Sequence, residues 1–549
     1  MSDATSDAVT IAKSRAPRAG FAVLVAAGIL LSRIAGLVRE RVFAHYLGNS
    51  AAAGAFKAAL KIPNFLQNLF GEGVLSASFI PVYARLLAED DEEMAGRVAG
   101  VIFALLAAIV GAIVLVCVLV TPWIIDLIAP GFEGAVRLLT IRIVQILFPA
   151  TGLLVLSAWC LGVLNSHRKF FLSYAAPVLW NIAMIATLIY FGTRMTQSKL
   201  AVALAWGTVA GSALQFGVQV PFVWRYAPRI RPALTTALAP VREVIRAFFP
   251  VVIGRGVVQL SGYIDQVIAS YLGTAAVSGL AYAQTIYFLP ISLFGMSVAA
   301  AELPQMSGTL GSDDEVSASL RRRLERGLRQ IAFFVVPSVI AFIFIGRVLV
   351  AALYQTGQFR GEDTLYVWYI LIGSTVGLLA ATLGRLYSSA FYALRDPKTP
   401  LRFAVVRVSL TAVLGVLFAF PLRPYIVAAI RLLHLRVPQL VEGESLLGAI
   451  GLTASAGMAG WIEFALLRRA LARRIGAVRL APSFLGRLWA SAVAAAIVAV
   501  AFDLMLGPHN HILQAMLVAG AFGAVYFAAA IAVGLPEAMA TLSRLRRRR

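Results

Sequence analysis

The chain has 549 residues, 60% of them hydrophobic and 13% charged, with a formal net charge of +22. A soluble protein of this length carries about twice that charged fraction. Apolar runs near or above ~18 residues recur from end to end without alternating, which excludes a β-barrel and leaves an all-α polytopic membrane protein.

The first twenty residues, MSDATSDAVTIAKSRAPRAG, form a polar, basic tail. The apolar run that follows contains Arg33 and has no A-x-A cleavage pattern, so it reads as a retained first span rather than a signal peptide. Fourteen spans are expected, near 21–46, 52–70, 97–125, 136–164, 170–192, 199–225, 243–272, 275–306, 330–355, 364–393, 400–420, 445–470, 484–506 and 512–534. They divide into an N-lobe at 21–225, a polar Pro-containing linker at 226–242, a C-lobe at 243–470 and two further helices at 471–535. An Arg-rich tail at 536–549 ends the chain.

Lys and Arg concentrate in the N-terminal tail, in the loops after spans 4, 6, 8, 10 and 12 and in the RLRRRR terminus; Arg423, Arg431 and Arg436 are the exceptions. The positive-inside rule then places both termini in the cytoplasm, and anionic headgroups account for most of the +22. No nucleic-acid partner is expected. Cys117 and Cys160 lie in apolar runs at no metal-ligand spacing, and packing is their expected role. There is no P-loop, G-x-S-x-G or H-E-x-x-H, so no catalytic residue, cofactor or metal is expected.

Ionisable residues inside the spans carry the functional signal, since a charge at mid-bilayer costs about 2.5–3.5 kcal/mol. The first two spans hold Arg33, Arg39, Glu40, Arg41, Lys57 and Lys61, with Glu72 just beyond. Arg33 lies near mid-bilayer at ~1.5 Å per residue from the start of its span. Glu40 and Arg41 fall near the external interface, where snorkelling is an equal reading. Lys57 and Lys61 share one helix face and repel each other unless an anion lies beside them. Glu72 is the nearest candidate within the span, and a bound diphosphate is the other. A salt-bridge network that only joins helices is the alternative. In the seventh span Arg255, Gln259 and Gln266 line one stripe that could oppose Arg33 and Lys61 across a cavity. Asp265 lies beside that stripe, as a salt-bridge partner or a coupling-cation ligand, and Gln284 adds a polar group in span 8.

SRIAGLVRE at 32–40 and FKAALKIPNFLQNLFGEGVLSASFIPVYA at 56–84 resemble the signature region of the MurJ (MviN) lipid II flippases. APGF at 129–132, VLNSHRKF at 163–170, APVLWN at 176–181, LYQTGQF at 353–359 and AFYALRDPKTP at 390–400 extend the resemblance in order along the chain. It implies a fold of the MOP exporter superfamily, with two six-helix lobes around a central cavity plus two C-terminal helices. It also implies the movement of an undecaprenyl-diphosphate-linked peptidoglycan precursor to the external leaflet by alternating access, for cell-wall synthesis at the bacterial inner membrane. The family's cavity cations carry over to Arg33, Arg39 and Lys61, and its acid to Glu72. Where many members have an Asp, an Arg and an Asp-Arg pair, this chain has Gly54, Gln67 and Gln284-Thr285; Lys57 and Arg255 are candidate replacements for the missing charge.

Arginine's planar fork suits phosphate oxygens. Direction must come from a membrane potential, an ion gradient or consumption of product, and the sequence leaves this open. A flippase for another prenyl-diphosphate glycan, a drug or metabolite antiporter of the same superfamily, and a membrane scaffold are the rival readings. A net-positive cavity disfavours the antiporter, and the scaffold leaves Arg33 and Lys61 without a purpose. Membrane lipids are expected partners, with cell-wall synthesis proteins as further candidates, and the chain is expected to act as a monomer.

Overall fold

The computed structural model describes residues 19–307, 313–440, 442–507 and 510–546. The basic tail lies outside the described residues except for its last two positions, and so do the last three arginines. The elements in chain order are α1 (Ala19–Leu47), α2 (Ala51–Phe70), α3 (Glu72–Ala88), α4 (Glu92–Leu119), α5 (Thr121–Ile128), α6 (Gly134–Ser166), α7 (Phe170–Phe191) and α8 (Gln197–Tyr226). After the linker come α9 (Ala239–Leu272), α10 (Thr274–Pro290), a π-helical turn (Ile291–Met296), α11 (Ser297–Ser307), α12 (Asp313–Phe344), α13 (Gly346–Tyr354) and α14 (Gly361–Ala393). The chain continues through α15 (Lys398–Ala419), α16 (Arg423–Leu432), α17 (Gly448–Ile475), α18 (Pro482–Leu506), α19 (His511–Ala532) and α20 (Pro536–Arg546).

Eleven helical segments among the described residues are long and apolar enough to cross a membrane. The other three expected spans correspond to α1, α2 and α9. In α2, Lys57 and Lys61 lower the apolarity of the helix that carries them.

Pro63, Pro149 and Pro337 sit inside unbroken helices, because neighbouring helices in a bundle cover the freed carbonyls. The second span ends at Phe70, where expected, and the amide of Gly71 still reaches Gln67 O at 2.8 Å. Only Pro290 precedes an irregularity, the π turn, and such turns often mark functional positions. The expected basic loop around Arg321–Arg329 is helical and forms the first half of α12. Arg468–Arg474 likewise belong to the last turns of α17.

α2 packs on α6, α6 on α4 and α8, and α7 on α1 and α8. After the linker, α14 packs on α10, α12 and α17, and α15 on α9 and α17. α18 and α19 pair with each other and lie against α12 and α13. The two sets meet through α2 on α10, α3 on α9 and α1 on α13.

Two motifs fix turns between helices. In the loop before α15, Asp396 accepts from Thr399 Oγ1 at 2.7 Å, from Thr399 N at 3.1 Å and from Arg474 Nη2 at 2.6 Å. It caps α15 and ties it to α17. His167, in the turn before α7, meets Tyr83 OH at 3.0 Å and so fixes α3.

Candidate anion site

α1 and α2 form a hairpin whose turn, Leu47–Ser50, is enclosed by elements from the other half of the chain. Tyr282 OH of α10 donates to Gly48 O at 2.6 Å, and Ser278 Oγ donates to Asn49 Oδ1 at 2.5 Å. Gln358 N donates to His45 O at 2.8 Å, and His45 Nδ1 lies 2.8 Å from Thr356 Oγ1. Arg41 donates to the Ala352 carbonyl of α13. Gly54 is a close backbone approach, since a Cβ there would collide with the carbonyl of Thr274. That contact gives a physical reason for glycine where many resembling sequences carry aspartate. These contacts seal one end of the interface between the two halves.

Just inside the seal lies a buried charge network. Glu40 is 8% exposed and accepts from Arg39 Nη2 at 2.7 Å and Lys57 Nζ at 2.5 Å. Arg39 also donates to Asn181 Oδ1 at 3.0 Å, and its guanidinium carbon lies 4.8 Å from the centre of the Trp180 ring. The Lys57 ammonium lies 4.3 Å from the centre of Phe43 and 5.4 Å from that of Tyr282. Two cations around one carboxylate are thus offset by ring faces and an amide oxygen. The counter-charge of Lys57 in this structure is Glu40 rather than Glu72. Lys57 is thus held in an internal pair, and serving as a replacement cavity charge requires that pair to part. Glu40, read from the sequence as an interfacial residue of little weight, is the centre of the network.

Arg33 belongs to a different environment. It is exposed, as are Leu30, Leu31, Ile34 and Val38 around it on α1. Its Nη1 donates to Ser292 Oγ at 3.0 Å, so one hydrogen bond joins α1 to the π turn. Lys61 lies one turn beyond Lys57 on α2 and is half-buried. Its carbonyl accepts from Tyr263 OH of α9 at 2.8 Å, and its ammonium is within electrostatic reach of Asp265. Asp265 Oδ1 is buried and has no hydrogen-bond partner among the described residues, a carboxylate oxygen with unused capacity. Gln266 is 2% exposed, and Gln259 and Gln284 are half-buried. The side chain of Arg255 lies outside the described residues, so the stripe through Arg255 and its charge-replacement role are seen only in part. Glu72 is exposed and opens α3, where a carboxylate also suits the positive end of the helix.

Sequence reasoning missed a second polar group in the later half. Arg407 Nε of α15 lies 3.0 Å from Glu463 Oε2 of α17, and Asp265 and Arg385 of α14 are within electrostatic reach of Arg407. The signal was present, because Arg385, Arg407 and Glu463 all interrupt apolar helices. They sit on three separate helices, so spacing along any one of them does not bring them together.

The chain matches the family model described as "Lipid II flippase MurJ" over residues 43–520. A probable lipid II flippase MurJ of Rhizobium meliloti is 30% identical over 543 residues, covering 95% of this chain and 94% of that protein. The lipid II flippase MurJ of Burkholderia cenocepacia is 30% identical over 486 residues, covering 87% of this chain and 88% of that one. Among solved structures, a lipid II flippase MurJ in an inward closed conformation superposes with a TM-score of 0.73 at 22% identity, covering 92% of this chain and 98% of that one. An inward-facing multidrug resistance transporter of the MATE family, MOP superfamily, superposes with a TM-score of 0.59 at 18% identity, covering 82% of this chain and 98% of that one. The fold is that of the MOP superfamily.

Proposed function

The chain belongs to the lipid II flippase MurJ family, and on that premise we propose how its charged residues carry the substrate. It is a multi-pass inner-membrane transporter that flips lipid II for cell-wall synthesis. The residue assignment rests on one observation: Arg33, a guanidinium on a span, is exposed and reaches across the two halves to the Ser292 hydroxyl.

Fourteen spans with both termini in the cytoplasm fit the distribution of Lys and Arg, and the sealed end then faces outward. The diphosphate enters from the cytoplasmic side, where Arg33 exchanges Ser292 Oγ for a phosphate oxygen. A hydrogen bond between a guanidinium and an anionic phosphate oxygen is stronger than the guanidinium's bond to a neutral hydroxyl that it replaces, so binding releases α1 from the π turn. Lys61 supplies a second cation and gives up part of its attraction to Asp265. Arg39 contributes later, once movement of the hairpin parts it from Glu40. Glu72 and Gln284 border the route as polar groups. The prenyl tail stays in lipid throughout, because only the anionic head needs a replacement for water. Asp265, with Arg407 and Glu463 nearby, serves as a salt-bridge residue that recovers Lys61 after release. Drive by a membrane potential or an ion gradient is compatible with this cycle. The protein works as a monomer, with membrane lipids and cell-wall synthesis proteins as partners.

Complementation tests this reading. Expression of the chain should sustain growth of a bacterium depleted of its own lipid II flippase. Failure at normal expression and insertion would reject it.

A further inference from the structure

The linker between the two halves is not a loose tether. Residues 227–238 lie along α4, where Gly96 and Gly100 give the backbone room: a Cβ on either would strike the carbonyl of Arg229 or Arg231. Arg229 Nη1 pairs with Glu92 Oε2 at 2.9 Å, and Ile230 and Leu238 pack on the core beneath. Between linker and helix this leaves a cavity of about 710 Å³, lined in part by Glu93, Arg97, Arg229, Arg231 and Thr235, with Val101 among its apolar residues. Of its three arginines, Arg97 and Arg231 are in none of the ion pairs formed among the described residues.

We propose that this cavity binds the phosphate of an acidic phospholipid of the cytoplasmic leaflet. Two of the following observations, the depth of the cavity and the exposed apolar residues beside it, favour a lipid over a free anion. The cavity sits about 7 Å along α4 from its first residue, at ~1.5 Å per residue, which is headgroup depth if that end is cytoplasmic. Arg97 and Arg231 approach from opposite walls, from helix and linker, and guanidinium forks suit phosphate oxygens. Thr235 offers a hydroxyl for the headgroup. Leu234, next to the lining residues on the linker, is 71% exposed, and Trp224, in the last turns of α8, is 67% exposed; both suit the acyl boundary. Basic pockets on the cytoplasmic side of membrane proteins take lipid headgroups by the same chemistry. The bound lipid pins the linker to α4, and so to the earlier half, while the later half moves. The proposal uses the cytoplasmic placement of this end but none of the diphosphate site.

The test is native mass spectrometry of the detergent-purified full chain titrated with phosphatidylglycerol. Phosphatidylcholine of the same chain length and inorganic phosphate serve as competitors. Phosphatidylglycerol should bind in preference to phosphatidylcholine, and Arg97→Ala with Arg231→Ala should weaken it at least about tenfold. Glu93→Gln removes a repelling carboxylate and should tighten binding several-fold, a gain that misfolding cannot imitate. Unchanged binding in both variants overturns the proposal. Displacement of the lipid by inorganic phosphate overturns its assignment to a phospholipid. Because lipid retention rather than flipping is read, a failure here leaves the transport reading untouched.

Discussion

Lys57 Nζ lies 2.5 Å from Glu40 Oε2, and the pair joins the two arms of the α1–α2 hairpin where it enters the other half of the protein. Both side chains are about one-tenth exposed, so the interaction is not screened as a surface pair would be.

Removing one member of such a pair leaves an uncompensated buried charge, at a cost of about 3–5 kcal/mol. Glu40→Ala should therefore lower thermal stability in detergent more than Lys57→Ala, because it strands two cations instead of one anion that keeps Arg39. The double variant should cost clearly less than the sum of the singles. Strict additivity would mean that the two side chains do not interact.

The seal predicts a cross-link. With Cys117 and Cys160 replaced by Ala, Asn49→Cys and Ser278→Cys should form a disulfide under mild oxidation, since their native side chains meet at 2.5 Å. Oxidation should stop flipping and reductant should restore it. Full activity in the oxidised state would show that the seal does not open during transport.

Gly54→Asp tests the close approach of α2 to α10. The new side chain meets the Thr274 carbonyl, and overpacking of this kind costs about 1–3 kcal/mol. The expected result is a lower yield of the cross-link between Asn49→Cys and Ser278→Cys, and reduced growth rescue. An unchanged yield would show that α10 gives way freely.

A pH dependence follows from the loop before α15. Hydrogen bonds from Thr399, with Arg474 close by, hold the Asp396 carboxyl below its usual range. Its contribution is therefore complete at neutral pH and is lost as the pH falls through that depressed value. The stability difference between wild type and Asp396→Ala should be full at pH 7 and should close in acid. A difference that widened in acid would contradict the assignment.

The membrane class and most spans were legible because apolar runs of span length leave little choice. Intramembrane charge also drew attention to the first two spans. The pairing did not follow from it. Spacing along one helix places Lys57 beside Lys61, but only the hairpin geometry brings Glu40 to Lys57. Pro290 and Gly295 interrupt the eighth span, but such residues are common in membrane helices, so the π turn at Ile291–Met296 does not follow from them. Gly54 looked like a missing charge and is a point of contact. Arg385, Arg407 and Glu463 were visible as charges in apolar helices, yet their convergence depends on the packing of α14, α15 and α17.

The central claim is that Arg33 and Lys61 hold the diphosphate of lipid II. Its most direct measurement is lipid II flipping in cells depleted of their own flippase and supplied with Arg33→Ala or Lys61→Ala at matched membrane levels. The account predicts loss of flipping in each variant, with partial recovery in Arg33→Lys, which keeps the charge without the fork. Flipping at the wild-type rate in either alanine variant would contradict it.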